Sequence, residues 1–590
     1  MTRSVPAKTL LCLWLVMASW SSMAGDAQWL QLRGERFGIV SQLNEQQTRR
    51  WATEFDQYID ALHALFNRPE QSAPPLTVVL FDSTRKFAPY RMSTESGQVE
   101  DTAAFFALRG DWSVIGMPGQ RTSPENLRTL RHEAVHWLTS TRNEPTPLWF
   151  SEGYADVLST YQVDGTRVTW GHAIDKYLNQ LNAVGLQSLT QLLNQSQDEA
   201  LHHNNRFYPQ AWLLVHYFLF GDKGSHRDQL EDLVRLSRTM SAEDAVLEAY
   251  GSSIVNLEND VHAYLQLGRY SQWELTLPAR DYHYTVAPAA PAQVEFALAR
   301  LAIGGGNPEL AQRHAENVLA LLPARPEGHE LMATLAYERG DMARAAREID
   351  AALVAGTSDT WILQHKAVTL FNENATHVVM SPQEILPEPV ARQIAEYSAQ
   401  AALQNPQPIE PFALLVRALV CTNGDSAAVV EALAVGRQFH PTSGIFRLAD
   451  ALQASRVGDH EAALVALAEA DQSPLSLTDE MRTLSQFLQE YWVMTPVLEL
   501  AADAASSSDY EALVAATGVE LGRPGLSARL EQRLQAIQRD AKGMLVLIRA
   551  EIYLRAGNTV RFIDIVKGIA DDEEYGSVVR SVARGLLNDL

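Results

Sequence analysis

The sequence predicts an α+β domain, a small mixed sheet plus helices, followed by an all-α region of repeated helix pairs. Three observations predict this. Apolar runs of strand length, such as Leu76 to Phe81 and Trp112 to Gly116, alternate with amphipathic helical stretches over the first 270 residues. A proline-bearing stretch without helical period follows, from Trp273 to Pro291. From about residue 292 the chain is rich in alanine and leucine and carries Gly-Asn or Gly-Asp pairs spaced 34 residues apart.

The first 24 residues have the pattern of a secretory signal. Arg3 and Lys8 precede an apolar run, Leu10 to Trp20, too short for a comfortable membrane span, and Ser22-Met23-Ala24 offers small residues for cleavage after Ala24. The expected location is a periplasm or the cell exterior, with no stable span after cleavage; retention as an anchor is the alternative. Cys12 lies in that run, which leaves Cys421 alone and excludes an intrachain disulfide in the mature chain. With 590 residues there is enough chain for at least two domains. The formal charge of −23 repels nucleic acid and anionic membrane surfaces, so neither is an expected partner.

Arg36 to Val40 reads as a short strand, and Asn44 to Phe66 as a helix with Trp51, Phe55, Ile59, Leu62 and Leu65 on one face. Leu76 to Phe81 is the next strand, entered from Pro74-Pro75, and Trp112 to Gly116 another, ending at Pro118-Gly119. Ser123-Pro124-Glu125 opens a helix: cap, proline at the first position, acid in the first turn. This helix carries His132-Glu133-Ala134-Val135-His136. Pro145 and Pro147 end it, and Thr146-Pro147 reads as the cap and first position of a second helix bearing Trp149-Phe150-Ser151-Glu152-Gly153-Tyr154-Ala155-Asp156.

Residues four apart share a helix face, so His132 and His136 point one way and can share a cation. Glu152, brought back by the proline-bounded turn, supplies a third ligand, and two imidazoles with one carboxylate make a catalytic set for one Zn2+ ion. Glu133 is turned about 100° from His132 and is placed as general base toward the water that such an ion activates. Asp156, one turn beyond Glu152, is placed to accept the free N–H of a ligand histidine. His216, in an apolar helix from Ala211 to Phe220, reads as a satisfied core histidine, and His202 and His203 as exposed loop.

The two motifs together resemble the gluzincin metallopeptidases, in particular the peptidase MA-like group. The resemblance implies that His132, His136 and Glu152 bind zinc and that Glu133 is the catalytic base. It also implies a sheet whose edge strand pairs with extended substrate, for which Phe105 to Met117 is the candidate. A tyrosine some fifty to seventy residues past the glutamate ligand stabilises the oxyanion in several gluzincins, which suggests Tyr208 at that distance; a core-edge tyrosine is the other reading.

The implied domains are 25–275 for the peptidase, 276–291 for a linker and 292–590 for the repeats. The repeats resemble tetratricopeptide repeats: Gly306 and Gly340 are 34 apart, as are Gly424 and Gly458, with Pro323 and Pro441 17 after the first of each pair. An insertion that includes Ile385 to Pro389 separates the pairs, and Ile548 to Ile569, turning at Gly557-Asn558, reads as the last unit. The expectation is a secreted or periplasmic zinc metallopeptidase acting on a protein or peptide substrate, with a repeat domain that binds a protein partner or regulates the site. The alternatives are an inactive peptidase-like scaffold and a zinc amidase acting on cell-wall peptides.

Overall fold

The computed structural model describes residues 29–66, 75–92, 103–109, 111–120, 123–139, 146–195, 206–376, 382–422, 424, 426–471, 559–572 and 574–588, with isolated positions between 478 and 550. The signal segment 1–24, Pro145, His202 and His203 lie outside the described residues. The protein is mixed α+β, with a sheet in its N-terminal part and a helical C-terminal region. It forms two compact units, Met1–Ile362 and Leu363–Leu590. Among the described residues no helix is long and apolar enough to cross a membrane.

The first unit runs β1 (Leu30–Arg33), β2 (Phe37–Ser41), α1 (Glu45–Phe66), β3 (Leu76–Phe81), α2 (Thr84–Phe87), β4 (Phe105–Arg109), β5 (Trp112–Pro118), α3 (Pro124–Thr139) and α4 (Leu148–Ser159). It continues with β6 (Gln162–Asp164), β7 (Arg167–Trp170), α5 (Asp175–Val184), α6 (Leu189–Asn194), α7 (Phe207–Phe220), α8 (Arg227–Leu236), α9 (Ala242–Tyr250), α10 (Ile254–Leu267), β8 (Trp273–Thr276) and β9 (Thr285–Pro288). Helix α1 begins where the sequence places it. The Asn44 side chain accepts from the Gln47 N–H at 2.9 Å while the Gln47 side chain accepts from the Asn44 N–H at 3.4 Å, so each satisfies an orphan donor of the first turn. Ser123 likewise caps α3 by accepting from the Asn126 N–H. Helix α4 starts one residue later than expected: Pro147, with ψ at 137°, is the cap and Leu148 the first helical residue.

Six strands form one sheet in the order β4-β5-β3-β2-β1-β9, and β6-β7-β8 form a second, antiparallel one. The expected substrate strand, Phe105 to Met117, is two strands: β4 turns back antiparallel on β5, which leaves β4 as the edge. Alternate residues of a strand face opposite sides. Ile39, Val78, Leu80, Ile115 and Met117 pack on one face against α1 and α3. Val40, Val79, Phe81 and Val114 pack on the other against the first helices beyond Pro291. Burial on both sides is why Val78 to Phe81 reads as an unbroken apolar run.

The expected linker, 276–291, is instead part of this unit. Strand β9 pairs antiparallel with β1, and β8 with β7. Between them the Tyr282 hydroxyl donates to Asp60 at 2.6 Å and the Tyr284 hydroxyl to Asp56 at 2.7 Å, with Arg36 bridging both carboxylates. The prolines mark element ends: Pro288 closes an edge strand and Pro291 opens a helix, positions where a missing N–H costs nothing.

Five helices complete the first unit or reach its border: α11 (Pro291–Gly304), α12 (Pro308–Leu321), α13 (Glu327–Glu338), α14 (Met342–Val354) and α15 (Thr360–Asn374). The second unit contains α16 (Glu388–Gln404), α17 (Glu410–Leu419), α18 (Ala427–Phe439), α19 (Gly444–Arg456), α20 (His460–Asp471), and after a long interval α21 (Thr559–Asp571) and α22 (Ser577–Asn588). Gly306, Gly340 and Gly458 fall between helices at φ of 71°, 75° and 80°, the left-handed region that favours glycine. The next residue bonds back five residues, as in Asn307 N–H to Ala302 O and Asp341 N–H to Ala336 O, both 2.9 Å. Its side chain then caps the following helix. Each of these three pairs is therefore one stop-and-restart signal, whereas Asp425 of the pair Gly424-Asp425 lies outside the described residues and Ser426 caps the helix that follows. Helix starts at Pro308 and Met342 keep the 34-residue period, as do those at Glu410 and Gly444. Helix α21 covers the second half of the expected unit, Ile548 to Ile569, and pairs with α22; most of its first half, including the turn at Gly557-Asn558, lies outside the described residues. Cys421 is buried.

Candidate metal centre

Helix α3 lies against the sheet with Leu130, Ala134, Val135 and Trp137 in the core. Arg131 locks it in place: its guanidinium donates to the Tyr161 carbonyl at 2.7 Å and stacks on the Tyr161 and Tyr58 rings. Helix α4 crosses α7 at Gly153, where a Cβ would collide with the Ala211 carbonyl. That close approach needs glycine and fixes Glu152 beside it. Helix α7 is apolar around nearly its whole surface and buried accordingly.

These two anchored helices bring the predicted ligands together. His132 Nε2 is 3.1 Å from His136 Nε2 and 3.2 Å from a Glu152 carboxylate oxygen, and His136 Nε2 is 3.6 Å from the other oxygen. Ligands at zinc-binding distance around a tetrahedral ion stand about 3.3 Å apart, which these separations match. Among the described residues His132, His136 and Glu152 are the one such group of His, Cys, Asp or Glu atoms within 4.8 Å of one another.

The tautomers sharpen the point. His132 Nδ1 lies 3.1 Å from Asp156 Oδ1, and a carboxylate only accepts, so Nδ1 carries a proton and a neutral ring presents its Nε2 lone pair. That lone pair faces the lone pairs of Glu152 and His136 Nε2. A positive centre among them, either a cation or an extra proton on an imidazole, relieves such an array. Burial opposes charge on His132, but Asp156 and Glu152 more than offset it and hold its pKa well above the ordinary value. Burial likewise disfavours the Glu152 anion, yet bonds from His132 and His136 push its pKa below the usual carboxylate range. The donor set fits a divalent metal of the zinc type, bound by His132 Nε2, His136 Nε2 and Glu152.

Glu133 lies on α3 beside this point, where β4 passes. Burial raises its pKa, opposed by the two histidines, while Glu152 raises it and the Phe106 backbone N–H of the edge strand donates to it. Asp156, 2% exposed, receives more than His132. Arg128 Nη1 is 3.0 Å from its Oδ1, and the Tyr177 hydroxyl donates to its Oδ2 at 2.8 Å. Neither partner was predicted. Arg128 precedes His132 by one helical turn, a spacing that could have found it, whereas Tyr177 arrives on α5 through tertiary packing alone.

Tyr208 sits in the first turn of α7, half-buried, its ring edge-on to Phe207 at 5.4 Å in the helical core. His216 is a core histidine as expected. Its Nε2–H donates to the Gly171 carbonyl at 2.9 Å, Nδ1 accepts from the Tyr264 hydroxyl at 2.8 Å, and burial lowers its pKa to about 4. No protein-family model matches the chain, and no curated protein is significantly similar to it.

Proposed function

We propose that the protein is a zinc-dependent metallopeptidase of gluzincin type, working outside the cytoplasm on a protein or peptide substrate. The observation that carries this reading is the meeting of three lone-pair donors from α3 and α4 at tetrahedral-edge distances, with the Glu133 carboxylate alongside. When bound there, zinc supplies Lewis acidity and makes a neighbouring water easier to deprotonate. His132, His136 and Glu152 hold the ion. Glu133, its pKa raised by burial, takes the proton of the attacking water on a carboxylate oxygen and passes it to the leaving amine. Among the described residues no strand pairs with the outer edge of β4, and main-chain groups there, next to Glu133, suit an extended peptide rather than a compact substrate. The helix pairs of 34-residue period are of the kind that present a surface to protein partners, and we assign them partner binding or regulation.

The test is Glu133→Gln in the full chain. Zinc content should equal that of wild type while peptide hydrolysis falls at least a hundredfold. Unchanged hydrolysis by Glu133→Gln removes Glu133 as base. A wild-type chain that keeps its zinc but cleaves no peptide in a broad library points to a scaffold. Cleavage of cell-wall peptides alone points to an amidase.

A further inference from the structure

We infer that Arg128 and Tyr177 are positioning residues for the metal centre, acting together through Asp156 to aim His132. The inference rests on the metal-site reading above and adds two residues that no sequence motif assigns.

A ligand histidine must keep one tautomer and one ring direction, and the partner of its second nitrogen decides both. Here that partner is Asp156, whose side chain could rotate about its terminal torsion if held at one point only. It is held at three. Oδ2 accepts from the Tyr177 hydroxyl at 2.8 Å. Oδ1 accepts from Arg128 Nη1 at 3.0 Å and from His132 Nδ1 at 3.1 Å. The three donors come from α5 and α3, and the acceptor from α4, so the carboxylate plane is defined by three separate backbone anchors. With Asp156 2% exposed, no solvent competes for it.

The two donors also position each other. The Arg128 guanidinium lies over the Tyr177 ring, 5.7 Å from its centre, and that ring also meets Trp212 of α7 edge-on at 6.3 Å. Arg128 is besides the paired cation that a buried aspartate requires. The Tyr177 hydroxyl therefore reports the seating of α5 and α7 to a ligand more than forty residues away in sequence. Removing one donor leaves Asp156 with two anchors in place of three and loosens its hold on the His132 ring, while the ligands themselves stay intact.

The experiment compares full-length wild type, Tyr177→Phe, Arg128→Gln and Arg128→Lys. Zinc affinity is read by competition with a chromophoric chelator, and ligand geometry by the visible absorption of the cobalt-substituted protein. Circular dichroism checks that each chain is folded. Tyr177→Phe should weaken zinc binding about tenfold and Arg128→Gln about a hundredfold, each with an altered cobalt spectrum. Arg128→Lys, which keeps the charge, should recover part of the loss. Variants that melt earlier yet keep zinc affinity within twofold and an unchanged cobalt spectrum would overturn the inference and leave the metal site standing. A folded wild type that takes up neither zinc nor cobalt would overturn the metal site itself, and this inference with it.

Discussion

His132 Nδ1 and Asp156 Oδ1 stand 3.1 Å apart, although they lie 24 residues apart on separate helices. The bond gives the imidazole its direction, so its removal should be felt at the metal and not only in stability. Asp156→Ala should weaken zinc affinity by about 10–100-fold, measured by chelator competition, with the helical circular dichroism retained. An affinity equal to wild type would mean that the ring is aimed by other contacts.

His216 gives the chain a pH dependence of its own. Its folded pKa is lowered to about 4 from the ordinary 6.5. Between those values the unfolded chain binds the extra proton and the folded one does not, so stability is full above about 6.5 and falls as pH drops toward 4. The span corresponds to about 3 kcal/mol at most. His216→Gln should flatten the stability profile between pH 6.5 and 4, as read by urea denaturation at several pH values.

Asp359 behaves with the opposite sign. It is half-buried near Asp111 and Glu330 with Arg300 as the neighbouring cation, and desolvation followed by those acids raises its pKa to about 7. The folded state then binds a proton that the unfolded state releases, so stability declines as pH rises from about 4 to 7. Its Oδ1 accepts from the Ile362 N–H, a bond that asparagine keeps. Asp359→Asn should raise thermal stability at pH 8 by on the order of 1 kcal/mol and leave it unchanged at pH 4.

The sheet depends on the helices beyond Pro291. A chain ending at Ala290 would expose Val40, Val79, Phe81 and Val114, which α11 and α12 cover. It should aggregate or lose cooperative unfolding in differential scanning calorimetry. A chain ending at Gly356 keeps that cover and should unfold cooperatively.

Much of the centre was legible because helical spacing converts directly into shared faces. His132, His136, Glu152 and Asp156 all follow from turns of one or two helices and a proline-bounded bend. Gly306, Gly340 and Gly458 were legible for a similar reason, since a left-handed stop followed by a capping side chain is a local code. Tyr177 was not legible, because its place beside Asp156 depends on α5 folding back through long-range packing. Tyr208 was suggested by distance along the chain, which carries no angular information. The linker at 276–291 was misread because proline interrupts helical period both in linkers and at the ends of edge strands. The unbroken apolar run at Val78 to Phe81 held the missing clue: a strand with no polar alternation needs cover on both faces, and the second cover came from beyond residue 291.

Cladding the sheet on both faces also divides the chain by how freely it can diverge. Gly116 and Gly304 admit no Cβ without displacing Leu301 or Ala107, so α11 and the β4–β5 hairpin must vary in concert. Helices that do not touch the sheet carry no such bond to the chemistry. Lineages of this protein are therefore free to lengthen, trim or re-surface the distal helices while the first pair stays tied to the fate of the sheet.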